Sequence, residues 1–267
     1  RVPRENLLNK FADVAPDGLV MLDWVVEQPF CDGRVATFGL SALATTSYLL
    51  APGARPELFC QFLGVSTPDL YETVLFQDGV FKQADVIEWS TKQGAADLAA
   101  SWADHPQCDA YWDPLHGPDL HQDVHVAAVH LGGWFDVFTQ GTIDGFVRYQ
   151  GTADEAARAK QYLIVGPWTH EDVGMQVNGD LKFPTNAVFP VFTRIFDWFD
   201  WCMAGSHPNI DAWKPVRYYV MGAVGEEGAP GNVWRERDDW PPPFVTAPLT
   251  LHADGGAAFG TPGADEA

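Results

Sequence analysis

Short, mostly apolar runs alternate along this chain with longer segments that have helical character. The short runs are typical of strands buried on both faces: residues 34–39, 57–64, 124–131 and 161–165. The longer segments predict helices: residues 17–28, 42–50, 139–149 and 191–203. The last helix is strongly amphipathic, and its apolar side carries Phe192, Ile195, Phe196, Phe199 and Met203. Strands and helices in this order predict an α/β fold with a parallel sheet covered on both faces.

Two regions differ from this alternation. In residues 67–115 apolar residues fall at roughly helical intervals, which predicts a helical insertion. From about residue 208 short β segments and turns follow, beginning with Val216 to Gly222. The chain therefore divides into a first core part, a helical cap insertion, a second core part and the start of a β-rich domain: residues 1–66, 67–118, 119–207 and 208–267.

Charge and composition limit the classes of partner. With 267 residues, 46% of them hydrophobic, the chain can bury a substantial core. The formal net charge of -20 repels phosphate backbones and anionic membranes, so we predict no nucleic-acid and no membrane partner. Solubility explains the acidity most simply, and attraction of cationic substrates to a negative mouth is the alternative. Self-association into a homo-oligomer stays open.

The amino terminus and the cysteines leave other questions open. The chain begins Arg1-Val2-Pro3, without an initiator Met or an apolar signal region, which favours a fragment or a processed product. A cytoplasmic location is favoured because no apolar signal region is visible in the sequence. The cysteines have neither CxxC nor metal-ligand spacing, so disulfides are neither required nor excluded for Cys31, Cys60, Cys108 and Cys202.

Ser41 lies where a predicted strand turns into a predicted helix. In an α/β-hydrolase the nucleophilic serine occupies such a sharp turn, and a small residue such as Gly39 two positions earlier lets the backbones approach. The helix that begins directly afterwards favours developing negative charge. The segment departs from G-x-S-x-G because Leu43 stands at the last position. A serine that only caps the helix fits the same pattern.

Asp136 and His170 follow the next two clear strands. Asp136 comes after Gly132-Gly133, and His170 comes after Gly166-Pro167. We expect these glycine and proline residues to end the two strands. Taken singly, an aspartate capping the next helix and an ordinary loop histidine fit as well. Together with Ser41 they give the order Ser, Asp, His, which is that of α/β-hydrolases. The sequence therefore predicts a triad of nucleophile, orienting acid and base.

A cluster of histidines precedes the acid and suggests a metal site as an alternative. Its members are His116, His121, His125 and His130. No HExxH or similar spacing appears among them, and His125 and His130 are an odd number of residues apart, which turns them to opposite faces of a strand. We predict no metal and no cofactor.

Several stretches of the chain resemble the X-prolyl dipeptidyl-peptidase-like hydrolases, the serine hydrolase family that includes cocaine esterase and the α-amino-acid ester hydrolases. The matching stretches are residues 24–35, 39–41, 131–136, 164–170 and 215–222, with Trp234 and residues 239–241. The resemblance implies an α/β-hydrolase sheet with a helical cap insertion, followed from Val216 by the start of a β jelly-roll domain.

The resemblance also implies a reaction. A small-molecule acyl ester or amide would be cleaved through an acyl-enzyme on Ser41, with the backbone N–H of Ala42 as an oxyanion donor. Trp134, Phe135 and Trp168 would neighbour the acyl pocket, although core packing explains these aromatic residues equally well. Ester hydrolysis, release of an X-Pro dipeptide, α-amino-acid ester hydrolysis and β-lactam acyl transfer share this machinery within the family, and we favour ester hydrolysis.

The chain departs from the family pattern in three respects. Ala42 and Ala44 stand where the family usually has tyrosine and glycine. The opening strands, with the tyrosine that is the other oxyanion donor, are missing, and losing one such donor typically costs on the order of 10²–10³ in turnover. The jelly roll is cut off near Ala267. An inactive hydrolase-like fragment that acts only as a binding or structural module is therefore the alternative of another class.

Overall fold

A computed structural model describes residues 14–113, 115, 124–226, 228–252 and 255–259. The elements, in chain order, are α1 (Val14–Val26), β1 (Val35–Leu40), α2 (Ala42–Leu50), β2 (Leu58–Gly64), β3 (Phe76–Gln77), β4 (Val80–Phe81), α3 (Gln83–Lys92), α4 (Ala96–Ala103), β5 (Ala127–Phe135), α5 (Thr139–Thr152), α6 (Glu155–Arg158), β6 (Gln161–Thr169), β7 (Val177–Asn178), β8 (Leu181–Lys182), α7 (Val191–Ala204), β9 (Val216–Val220), β10 (Val233–Arg237), β11 (Leu249–Leu251) and β12 (Ala257–Phe259). Among these helices, none is long and apolar enough to cross a membrane.

Six strands form the central sheet in the order β1-β2-β5-β6-β9-β10. The first five are parallel, and β10 runs antiparallel to β9. Apolar side chains of α2 and α5 pack on one face of the sheet, and α7 covers the other. Parallel strands place their carboxyl ends along one edge, so residues that follow β1, β5 and β6 come together there. The predicted α/β class with a covered parallel sheet is confirmed.

We predicted that a separate β-rich domain begins near residue 208. The first two strands after that residue, β9 and β10, instead belong to the central sheet. β9 pairs in parallel with β6, at Leu163 with Val216, and β10 extends the same sheet. The crossover through α7 returns the chain to the sheet, where Val216 is fully buried in the core. Only β11 and β12 form a separate two-stranded sheet, so a jelly roll stays a prediction.

The strands β5 and β6 continue through the residues that we expected to end them. Gly133 pairs with Gly166 in the sheet, and the register shifts between Gly133 and Phe135. A Cβ on Gly133 would lie 2.2 Å from the carbonyl oxygen of Trp168, so only glycine permits this approach. The glycines thus serve the close packing of two strands whose ends carry Asp136 and His170.

The insertion is helical, as predicted, with one addition. It contains a single π-helical turn at Tyr71–Leu75, the short hairpin β3–β4, and helices α3 and α4. Its buried residues form a cluster of their own that reaches Leu49 of α2. The insertion therefore rests on the helix that begins directly after Ser41.

Helix α7 buries only part of the apolar side that its sequence suggests. Val191, Ile195 and Trp198 are buried, while Phe192 and Phe196 are 66% and 67% exposed. The ring of Phe199 contacts that of Phe38 on β1, 6.3 Å away between centroids. Because β1 is the outermost of the described strands on this side, part of the apolar face of α7 lies beyond the edge of the described sheet.

Candidate active site

Ser41 occupies a strained turn between β1 and α2. Its backbone has φ 57° and ψ -131°, a conformation that is costly for a residue with a Cβ. Its N–H donates to the carbonyl oxygen of Gly64 at 2.9 Å, which ties the turn to β2. A Cβ on Gly39 would lie 2.4 Å from the carbonyl carbon of Leu43, so a glycine is needed there. The Ser41 side chain makes no capping hydrogen bond to α2, contrary to the capping alternative.

Asp136 is held in a buried turn directly after β5. Its N–H donates to Gly133 O at 2.9 Å, and its carbonyl oxygen accepts from the hydroxyl of Thr139 at 2.7 Å. The Thr139 hydroxyl also bonds to Gly133 O, so one side chain ties together both ends of the turn. The carboxylate is fully buried, and the residue at the N-cap of α5 is Phe138, not Asp136.

His170 connects the acid with the serine. Its Nδ1 lies 2.8 Å from Asp136 Oδ1, and its Nε2 lies 3.0 Å from Ser41 Oγ. A carboxylate only accepts, so Nδ1 carries the proton toward Asp136 and Nε2 is left to accept the hydroxyl proton of Ser41. The structure therefore brings together the three residues that the sequence selected, with hydrogen-bond geometry suited to activating a hydroxyl nucleophile.

Two opposing effects set the pKa of His170. Burial of the ring favours the neutral imidazole, whereas the hydrogen bond and charge of Asp136, together with the charge of Glu171, favour the imidazolium. The carboxylates prevail, and the pKa lies above the ordinary value of 6.5. A histidine with a raised pKa accepts a serine proton more readily. The imidazolium that then forms is also better stabilised.

Ala42 is the first residue of α2 and lies beside the nucleophile. Backbone N–H groups in the first turn of a helix have no acceptor within the helix. They also carry the positive end of the helix dipole, which favours negative charge at this position. This placement is consistent with the predicted role of the Ala42 N–H in stabilising an oxyanion.

A cavity of about 670 Å³ opens onto Ser41 and His170. The insertion supplies most of the opposite wall, with apolar side chains of Leu70, Val74, Val86 and Trp89. Phe138 lies beside His170, with 5.2 Å between ring centroids. Charged residues at and within α3 and in the loop after β6 also line the cavity: Lys82, Asp85, Glu88, Lys92 and Glu171.

The aromatic residues that we expected beside the acyl pocket do not line this cavity. The Nε1 of Trp134 donates to Tyr219 O at 2.7 Å, and that of Trp168, fully buried, donates to Ala187 O at 3.0 Å. Phe135 is 46% exposed away from the cavity lining. Core packing therefore describes Trp134 and Trp168 in this structure. Trp89 is one of the apolar residues whose spacing predicts the helical insertion, and nothing in the sequence singles out Phe138.

A buried polar network fixes the floor of the cavity. The hydroxyls of Thr45 and Ser66 lie 2.7 Å apart, and Thr142 donates to Ser66 O at 2.8 Å. Arg148 of α5 bonds to the buried carboxylate of Asp69 at 3.2 Å, at the start of the insertion. These bonds hold the segment after β2 against α2 and α5, next to Ser41.

The two described histidines of the candidate metal site, His125 and His130, have other partners. His130 is fully buried, and its ring nitrogens lie 2.7 Å from Tyr48 Oη and 3.2 Å from Gln161 Oε1. His125 pairs with Asp154 at 2.8 Å. His116 and His121 lie outside the described residues. In the part of the chain that the structure describes, no group of three or more potential ligands could hold a metal ion.

Comparisons with known proteins agree with this arrangement. The family model of the X-Pro dipeptidyl-peptidase (S15 family) matches residues 8–101 and 91–172, which include all three residues of the triad. Cocaine esterase from Rhodococcus sp. is 27% identical over 91% of this chain and 48% of its own length. The chain thus spans about half the length of this curated relative.

Solved structures show the same fold. An aminopeptidase from a marine sediment Thaumarchaeota archaeon has a TM-score of 0.73 at 20% identity, covering 94% of this chain and 46% of its own. An α-amino acid ester hydrolase has a TM-score of 0.68 at 21% identity, covering 96% and 48%. The sheet is that of an α/β-hydrolase, and the family model matches more than half of the chain, including Ser41, Asp136 and His170. The chain belongs to the X-Pro dipeptidyl-peptidase (S15) family of hydrolases.

Proposed function

We propose that this chain forms the catalytic part of a serine hydrolase that cleaves an acyl ester through a covalent acyl-enzyme on Ser41. The observation that carries the proposal is the continuous hydrogen-bonded chain from Asp136 through His170 to Ser41, at the floor of a cavity. Each of the three residues follows a parallel strand at the same sheet edge, so the arrangement rests on the rigid core.

In the proposed reaction His170 takes the hydroxyl proton as Ser41 Oγ attacks the acyl carbon. The negative charge that develops on the carbonyl oxygen lies near the Ala42 N–H at the start of α2. His170 then gives its proton to the leaving alcohol, and a water molecule repeats the sequence to release the acid. Asp136 holds the ring orientation and stabilises the imidazolium throughout.

The cavity favours an uncharged, apolar acyl group of moderate size. Val74, Val86 and Trp89 offer apolar surface opposite the nucleophile. Two lysines at the cavity are already paired, Lys82 with Asp85 at 3.6 Å and Lys92 with Glu88 at 2.6 Å. A negatively charged acyl group would have to break one of these pairs and face an acidic chain, which favours neutral substrates.

One observation supports a second candidate. Glu171 is an exposed carboxylate directly beside His170 at the cavity, where it could bind a free amino group. This arrangement favours an ester or amide of an α-amino acid, or an X-Pro dipeptide amide. Relatives bear names of both kinds, an esterase and an aminopeptidase.

Hydrolysis of a chromogenic ester panel separates these candidates. We would compare matched aryl esters with acetyl, apolar branched and aromatic acyl groups against α-amino-acyl esters and X-Pro anilides. The proposal expects turnover of the apolar esters, lost in Ser41→Ala and His170→Ala and kept in Ser206→Ala, an exposed serine after α7. A folded chain without turnover of any of these compounds would support the non-catalytic binding module instead.

A further inference from the structure

Two cysteine side chains meet between the central sheet and α7, far from the triad. Cys60 lies near the amino end of β2, in register with Ala36 and Ala127. Ser41 follows the carboxyl end of β1, so this pair and the nucleophile are at opposite ends of the parallel sheet. Neither thiol has a role in the proposed reaction.

Strand alternation directs Cys60 toward α7. The side chain of Gln61 points to the opposite face, where it bonds to Ser47 O at 2.8 Å and to the hydroxyl of Tyr149 at 3.2 Å. Successive side chains of a strand point to opposite faces, so Cys60 and Phe62 face α7. Both belong to the buried cluster that contains the α7 residues Ile195 and Trp198.

A hydrogen bond between a tryptophan of α7 and the backbone of β2 sets the position of the helix along the strand. The Nε1 of the fully buried Trp198 donates to Gln61 O at 2.9 Å. Cys202 is four residues, about one helical turn, beyond Trp198 and therefore on the same face of the helix. Cys202 packs against the buried cluster that contains Cys60, and the neighbouring Cys60 thiol adds to the rise in the pKa of the Cys202 thiol. Strand parity, helix position and packing in one cluster thus place the two cysteine side chains next to each other.

Access to the pair is one-sided. Cys60 is fully buried, whereas Cys202 is partly exposed and lines a cavity of about 340 Å³. Lys160 lines the same cavity, together with the His125–Asp154 pair. Burial raises the pKa of the Cys202 thiol, and the positive charge of Lys160 opposes that effect only in part. A small reagent can therefore reach Cys202 first, with alkaline pH needed to form the thiolate.

We propose that Cys60 and Cys202 are a dithiol–disulfide modification site that low-molecular-weight disulfides oxidise. The Cys202 thiolate attacks one sulfur of the reagent, forming a mixed disulfide and releasing one thiolate, which takes up a proton. The Cys60 thiolate then attacks the Cys202 sulfur of the mixed disulfide and releases the second thiol. Two protein thiols are oxidised, and one reagent disulfide is reduced to two thiols.

The cross-link would join β2 to α7 and enclose residues 60–202. A bond that closes so long a loop restricts the unfolded chain, and the disulfide is expected to raise the thermal midpoint by about 5 °C or more. The triad lies at the other end of the sheet, so reactivity at Ser41 should not change. The site is therefore independent of the proposed hydrolase reaction.

The test uses the full chain with Cys31→Ser and Cys108→Ser, which leaves only the pair. After treatment with 2-hydroxyethyl disulfide at mildly alkaline pH, the protein is unfolded, alkylated and weighed by intact mass spectrometry. The proposal expects no alkylation, a mass lower by two hydrogens, a higher midpoint, and reversal of all three by dithiothreitol.

A matched variant identifies the order of attack. With Cys60→Ser added, the mixed disulfide should persist on Cys202, because the resolving thiol is absent. Two alkylatable thiols after treatment, or a mixed disulfide that persists while both cysteines are present, would overturn the proposal. Either result is compatible with normal reactivity of Ser41. Failure of this proposal is therefore distinguishable from failure of the proposed function.

Discussion

Substitution of Gly39 by alanine tests whether the strained turn is what exposes the nucleophile. A Cβ at this position would lie 2.4 Å from the carbonyl carbon of Leu43 and 2.5 Å from the nitrogen of Ala44. Both are backbone atoms of α2, so no side-chain rotation can relieve the contact. Moving them to van der Waals distance requires a displacement of about 1 Å between β1 and the start of α2.

That displacement acts on both stability and reactivity. Overpacking of this kind costs about 1–3 kcal/mol, which lowers the thermal midpoint by several degrees in a chain of this size. Ser41 stands between the two elements that must separate, and its Oγ is 3.0 Å from His170 Nε2. A shift of about 1 Å there breaks the hydrogen bond and is expected to slow reaction with a fluorophosphonate about 10²-fold.

Gly151→Ala provides the matched control, since no atom lies within 4 Å of its Cβ position near the end of α5. It should stabilise the chain by about 0.5 kcal/mol and leave labelling unchanged. Thermal unfolding and fluorophosphonate labelling rates would be measured for both variants and wild type. If Gly39→Ala is labelled at the wild-type rate and unfolds at the wild-type thermal midpoint, the turn is not what exposes the nucleophile.

Three further predictions concern the base, the acid and the cavity. The base acts only when neutral, and the pKa of His170 lies above 6.5, so the labelling rate should rise with pH through a midpoint above that value. Glu171→Gln removes a charge that raises this pKa, so the profile should move to lower pH; a shift to higher pH would contradict the account. Asp136→Asn should slow labelling about 10³–10⁴-fold while circular dichroism stays native, since the amide no longer holds the productive tautomer. Trp89→Ala should raise KM about tenfold for bulky apolar esters but not for acetyl esters, whereas Ile87→Ala, on the same helix, should change neither.

The sequence predicted the triad because each member obeys a local rule. Ser41 lies between an apolar strand and a helix with the bounds predicted, 42–50, and the order Ser, Asp, His limits the possible folds. Hydrogen bonding and burial then follow from the parallel sheet, which brings the three strand ends to one edge. Local pattern and topology were sufficient here because the site is built on strand ends rather than on long loops.

The errors share a physical cause, which is that a side chain's surroundings depend on distant elements. Glycines at 133 and 166 looked like strand breakers, yet they allow two strands to approach. Phe192 and Phe196 belong to an apolar helix side, but β1 is the outermost described strand there, and both side chains are exposed. Likewise, Trp168 stands two residues before the base in sequence, but its ring points into the core instead of the cavity.

The most direct test of the assembled triad is the position of a fluorophosphonate adduct on the protein. The folded wild-type chain would be labelled, digested and mapped by peptide mass spectrometry, alongside Ser41→Ala and His170→Ala. We predict one adduct, on Ser41. It should be absent from Ser41→Ala and strongly reduced in His170→Ala. An adduct on another residue, or no adduct on a cooperatively folded chain, would contradict it.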